Sequence, residues 1–148
     1  MNSNPRNSLD YQGAQLEQLS DVSLLEVMQE KTDEETSTKY VLIKHDFYSS
    51  DSDHGRELLA GFLASIRESS FSSVIVYLID KGVKLLDESN PLHDSMLRLI
   101  EKSEMIIAAT ESISYYEVSY SSNSKIIEQS SVSIAEDITY LPNLLILE

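Results

Sequence analysis

The sequence contains no cysteine and no tryptophan, and it is poor in glycine (4), proline (3) and basic residues (11 of 148). Each shortage removes a class of function. Without cysteine there can be no disulfide, thiolate nucleophile, persulfide carrier, iron–sulfur cluster or Cys-ligated zinc. The glycines, at 13, 55, 61 and 82, compose neither a Gly-rich phosphate loop nor a Walker-type lysine motif. The Gly-x-Ser-x-Gly elbow of serine hydrolases does not occur. Eleven Lys and Arg against 25 Asp and Glu leave a net charge of −14, which repels phosphate backbones and argues against a nucleic-acid partner. The longest apolar runs, such as Val74–Ile79, fall far short of the about 20 residues of a membrane span. No basic stretch precedes an apolar one near Met1, so the expectation is a cytoplasmic protein with no membrane partner.

What is present is a globular composition, 41% hydrophobic and 24% charged. A chain of this length buries roughly 68–70% of the surface it exposes when unfolded, enough for one full core. Composition shifts near residue 39. Residues 1–39 form an acidic N-terminal segment, in which Leu16, Leu19, Leu24, Val27 and Met28 recur at helical spacing and predict an amphipathic helix within 14–31. Lys31–Lys39 reads as a charged linker.

From residue 40 to 148 the pattern alternates. Tyr40–Lys44, Ser73–Ile79, Met105–Ala108, Lys125–Ile127 and Leu144–Leu147 predict five strands. Between them, Leu58, Leu59, Phe62, Leu63 and Ile66 follow helical spacing behind Asp53 as N-cap. Leu92, Met96, Leu99 and Ile100 form a second helix opened by Pro91. A short helix is expected through Tyr115 and Tyr116, and a last one from the capping-box spacing Ser133–Glu136. Strands alternating with helices predict a mostly parallel five-stranded sheet in a three-layer α/β/α fold, preceded by a short N-terminal helix.

Ligands of such sheets sit beyond the carboxyl ends of the strands, which singles out the loops after the first and third strands. Loop 45–54 concentrates His45, Asp46, Asp51, Asp53 and His54, donors suited to a divalent metal but in no established ligand spacing. Lys81 and Lys84 bring cations to the end of the second strand, and Ser112 follows the third. As a nucleophile Ser112 would need a neighbouring general base, and His45, His54 and His93 are the imidazoles available.

Gly55, Leu58-Leu-Ala-Gly-Phe-Leu63, Val76-Tyr77, Gly82-Val-Lys-Leu85 and Ile106-Ile107 leading to Tyr115-Tyr116 resemble the DsrE/DsrF-like domain. Within it the pattern is closest to the C-terminal domain of YedF-type proteins of sulfur and selenium metabolism. The resemblance spans residues 40–147 and is nearly ungapped across 53–118. On this register the two family cysteines fall on Ala109 and Ser112, with Thr110 and Glu111 between them. Neither alanine nor serine can hold sulfane sulfur, so the family's sulfur chemistry does not carry over. Asp10-Tyr-Gln-Gly13 is similar to the opening of the TusA-like domain of those proteins, but Leu16-Glu17 stands in place of its Cys-Pro pair.

The resemblance implies a DsrE-like scaffold that assembles as a homo- or hetero-oligomer with DsrE-like proteins. The leading expectation is a non-catalytic ligand- or partner-binding protein associated with sulfur or selenium metabolism, needing no cofactor. His45, Asp46, Asp53, His54, Lys84, Thr110 and Ser112 are expected to line its site, between loop 45–54 and turn 109–113. The alternatives are an enzyme of another class using loop 45–54 and Ser112, metal-assisted or not, and a structural subunit of a DsrE-type complex.

Overall fold

Five short apolar runs, each four to six residues long, order the molecule: β1 (Thr38–Ile43), β2 (Ser73–Leu78), β3 (Met105–Ala109), β4 (Ile126–Gln129) and β5 (Leu144–Leu147). They form one sheet in the order β4-β3-β2-β1-β5, and every pairing is parallel. The computed structural model describes residues 37–148, which make one compact unit. The helix expected within 14–31, most of the linker and the Asp10–Gly13 motif lie outside the described residues. Among the described residues no helix is long and apolar enough to cross a membrane.

The helices are α1 (Asp53–Arg67), α2 (His93–Lys102), α3 (Thr110–Tyr115) and α4 (Ser131–Thr139), with a 3-10 segment at Asp80–Leu86. The chain steps in one direction across the sheet from β1 to β4, then returns to place β5 beside β1. Right-handed crossovers put the helices of the outward steps on one face and the helix of the return step on the other. The core follows that division. Val41, Ile43, Val76, Leu78 and Ile106 face Leu59 and Leu63 of α1 and Met96 and Leu99 of α2. Alternate residues Leu42, Tyr77, Ile107 and Ala109 face Ile134 of α4. The fold is therefore the expected three-layer α/β arrangement around a parallel five-stranded sheet.

Several boundaries differ from expectation for local reasons. The N-cap of α1 is Ser52, whose Oγ accepts the Gly55 amide at 3.0 Å, rather than Asp53. Asp53 is the first helical residue, where its charge favours the helix N-terminus. For α4 the cap is Ser130, bonded to the Ser133 amide at 3.1 Å, so the helix starts before the Ser133 capping-box pattern. Pro91 lies in a turn ahead of α2, closed by the Leu92 amide on Asn90 Oδ1 at 2.8 Å. β3 runs one residue further than read, so Ala109 is a buried strand residue.

Two buried glycines fix the carboxyl edge of the sheet. A Cβ on Gly55 would overlap the Ser50 carbonyl, and one on Gly82 would overlap the Ile43 carbonyl. Gly61, exposed on α1, has open space around it. Gly82→Ala should therefore destabilise the chain by about 1–3 kcal/mol, because main chain rather than a flexible side chain must move. Gly61→Ala should instead add about 0.5–1 kcal/mol through helix propensity. Urea denaturation of both variants checks the pair; equal effects would mean that the close approach at Ile43 does not constrain the fold.

Candidate functional site

At the carboxyl edge, β2 ends in a tight turn. Asp80 adopts a left-handed conformation (φ 49°), uncommon for a residue with a side chain. Two hydrogen bonds hold it there. Its amide donates to Ser112 Oγ at 2.9 Å, and its Oδ1 accepts the Tyr116 hydroxyl at 2.7 Å. The turn leads into the 3-10 segment that carries Lys84, whose Nζ lies 5.4 Å from the centre of the Tyr116 ring, a cation–π contact.

Tyr116, Lys84, Asp46, Asp87, Ser89, Asn90, Pro91 and Val118 enclose an open cleft of about 330 Å³. Asn90 braces it by donating from Nδ2 to Asp46 Oδ2 at 3.1 Å. Asp87 accepts the Ser89 amide and hydroxyl on one oxygen and the Ser119 amide on the other. The backbone and hydroxyl bonds from Ser89, then the Ser119 amide, hold its carboxyl below the usual range, so it is charged at neutral pH. Tyr116 is pushed up to about 12, first by its bond to Asp80, then by desolvation and by the Asp80 charge, with Asp46 contributing.

The cations of the described residues divide into groups. Lys44, Arg56 and Arg67 pair with carboxylates. Lys39, Lys102 and Lys125 donate to backbone carbonyls, and exposed Arg98 makes no ion pair or side-chain hydrogen bond among the described residues. Lys81 and Lys84 lie over the Phe47 and Tyr116 rings, with no carboxylate within 4 Å among the described residues. Both belong to the segment after β2.

The structure separates the residues singled out from sequence. Asp46 and Lys84 line the cleft. Ser112 lies beyond Asp80 and lines a second, more apolar crevice of about 250 Å³ with Ile79, Ser131, Ile134 and Ile138. His45 stacks on Phe47, ring centres 4.7 Å apart, and its buried Nδ1 has no hydrogen-bond partner. Asp53 and Asp51 are engaged with Arg56 at 2.9 and 3.2 Å, and His54 is an exposed side chain 3.8 Å from Glu57. Thr110 is exposed at the start of α3, and Ala109, the other family cysteine position, is buried in β3.

None of the three histidines hydrogen-bonds Ser112; His93 instead contacts the Leu85 carbonyl at 3.2 Å. Among the described residues no three His, Asp or Glu side chains come together as a metal cage. Asp80, Asp87 and Asn90 escaped the sequence reading. Asp80-Lys-Gly82 and Ser89-Asn-Pro91 do carry turn signals, but neither reveals which loops meet across the sheet edge.

The Tyr116–Asp80 bond has a pH consequence. The folded chain keeps the phenol protonated above its ordinary value near 10, where the unfolded chain has released the proton. This contribution to stability is complete below pH 10 and is lost as pH rises towards about 12. Tyr120, desolvated and bonded to Glu128 at 2.7 Å, is likewise pushed up to about 12. Ultraviolet titration of the eight tyrosines should show these two ionising late, together with Tyr77, which burial also raises, and Asp80→Asn should return one of them towards its ordinary value. A titration curve unchanged by Asp80→Asn would contradict the hydrogen bond.

No family model matches the chain, and neither does any curated protein. Solved structures do. BT1422 from Bacteroides thetaiotaomicron, a conserved protein of unknown function, is 16% identical over 74% of this chain and 95% of its own, with a TM-score of 0.50. The YchN protein from E. coli is 14% identical over 75% of this chain and 100% of its own, with a TM-score of 0.51. At these identities the likeness is one of fold. YchN has the DsrE-like fold, and the chain described here shares that fold.

Proposed function

We propose that this chain is a non-catalytic, ligand- or partner-binding protein of DsrE-like fold that serves sulfur or selenium metabolism in the cytoplasm. The observation that carries the ligand reading is Lys84: an ammonium without a carboxylate partner among the described residues, in a cleft at the carboxyl edge of a parallel sheet. An incoming anionic group gains a charge-assisted hydrogen bond there without displacing an existing ion pair. The association with sulfur or selenium rests on the motif resemblance, and the non-catalytic reading rests on Ala109 and Ser112 in place of the family cysteines. Exposed Tyr115 and Val132, beside the same edge, supply apolar surface for a DsrE-like partner chain.

Two measurements test this reading. Incubated with a persulfide donor, the full chain should gain no adduct of about 32 Da, because it has no thiol to oxidise. A stable adduct removed by reductant would overturn the non-catalytic assignment. In calorimetric titrations at low ionic strength, sulfite or phosphate should bind weakly, and Lys84→Ala should weaken binding by about tenfold or more. Lys81→Ala, which alters a cation resting on Phe47 outside the cleft lining, should leave binding unchanged. Equal effects of the two substitutions, or no binding to the wild-type chain, would remove the support for Lys84.

A further inference from the structure

The cleft carries both signs of charge, and they are not paired with each other. Lys84 has no carboxylate within 4 Å among the described residues, although Asp46 and Asp87 line the same opening. Its ammonium is held over the Tyr116 ring, and all three of its N–H donors lack a hydrogen-bond partner among the described residues. The two carboxylates are not equivalent. Asp87 already accepts two bonds from Ser89 on Oδ1 and one from Ser119 on Oδ2, so it contributes chiefly charge. Asp46 gives Oδ2 to Asn90 and, among the described residues, has no bond on Oδ1.

A ligand with only an anionic group meets Lys84 but approaches two carboxylates. One with only a cationic group meets the carboxylates but approaches Lys84. The anion loses by repulsion much of what it gains by attraction, and the cation, although the second carboxylate favours it, is repelled by Lys84 and leaves its donors unsatisfied. A molecule bearing both groups satisfies both walls. We infer that the ligand of this cleft is a small zwitterionic amino carboxylate, its carboxylate on Lys84 Nζ and its ammonium on Asp46 Oδ1, with Asp87 adding negative potential to the opening. The opening of about 330 Å³ is near the lower end of small-molecule sites, which run from about 300 to 1,000 Å³. This inference rests on the cleft being the ligand site, as proposed above, and adds the second charge to the ligand.

The test is a matched set of titrations on the full chain at neutral pH and low salt. Glycine, β-alanine and 4-aminobutyrate, whose charges are progressively further apart, are each compared with the carboxylate of the same length that lacks the amine: acetate, propionate and butyrate. At least one amino carboxylate should bind about tenfold more tightly than its matched carboxylate. Asp46→Asn, which can still accept from Asn90, should erase that advantage while plain carboxylates continue to bind. Lys84→Ala should weaken both series. If the carboxylates bind and the amine adds nothing at any length, the zwitterion is wrong and the anion site stands. If neither series binds, the cleft is not the ligand site and the proposed function loses its support as well. The wild-type comparison alone decides between these outcomes, so the inference does not depend on how well a variant folds.

Discussion

The carboxyl edge of this protein depends on one close approach, the backbone of Gly82 against the carbonyl of Ile43. Ile43 ends β1, and its carbonyl also accepts the Ile79 amide at 3.2 Å, so the chain leaving β2 is drawn across the end of the neighbouring strand. A side chain at position 82 would lift the 3-10 segment off the sheet. With glycine there, Val83, Leu85 and Leu86 are buried, and Lys84 between them is turned towards Tyr116. The charge that defines the cleft is thus placed with the help of a backbone contact two residues away.

The same edge is braced from β3 and α3. At the positions where the motif resemblance would put cysteines, Ala109 is part of the buried sheet, and Ser112 accepts a hydrogen bond from the Asp80 amide. Ser112 therefore works as a brace for the turn, which in turn presents Asp80 to Tyr116 and Tyr116 to Lys84. An alkoxide at Ser112 would need a base, and no imidazole hydrogen-bonds it. Binding, by contrast, needs only fixed charges and donors. Asp46, Asp87 and Lys84 supply these on segments held by Asn90, Ser89 and Ser119.

Much of the fold was legible because its strands are short, apolar and separated by amphipathic helices. Leu144–Leu147 was read to the residue, and β2 to within one residue of its end. The start at Ser52 was misread because serine and aspartate are both good caps, and which of two neighbours takes the role depends on backbone angles that sequence does not display. The start at Ser130 was misread because Ser133 and Glu136 repeat the capping-box spacing one turn later. The site was half legible. Asp46 and Lys84 followed from the rule that ligands sit beyond the strand ends. Asp53 and His54 were near in sequence but are carried outward on the first turn of α1, where Arg56 engages Asp53. Asp87 and Asn90 enter the cleft from the connection between the 3-10 segment and α2, a long-range juxtaposition with no local signal.

The account's central claim is a location: a ligand enters beside Lys84 and Tyr116, and not the crevice by Ser112 or the surface around Tyr120. Amide chemical-shift mapping of the full chain during titration with the tightest-binding amino carboxylate tests it directly. Shifts concentrated at Asp46, Lys84, Asp87, Asn90 and Tyr116 are the predicted result. Shifts concentrated at Ile79, Ser131 and Ile138, or at Ser122, Asn123 and Glu128, would place the ligand in a different cavity and contradict it.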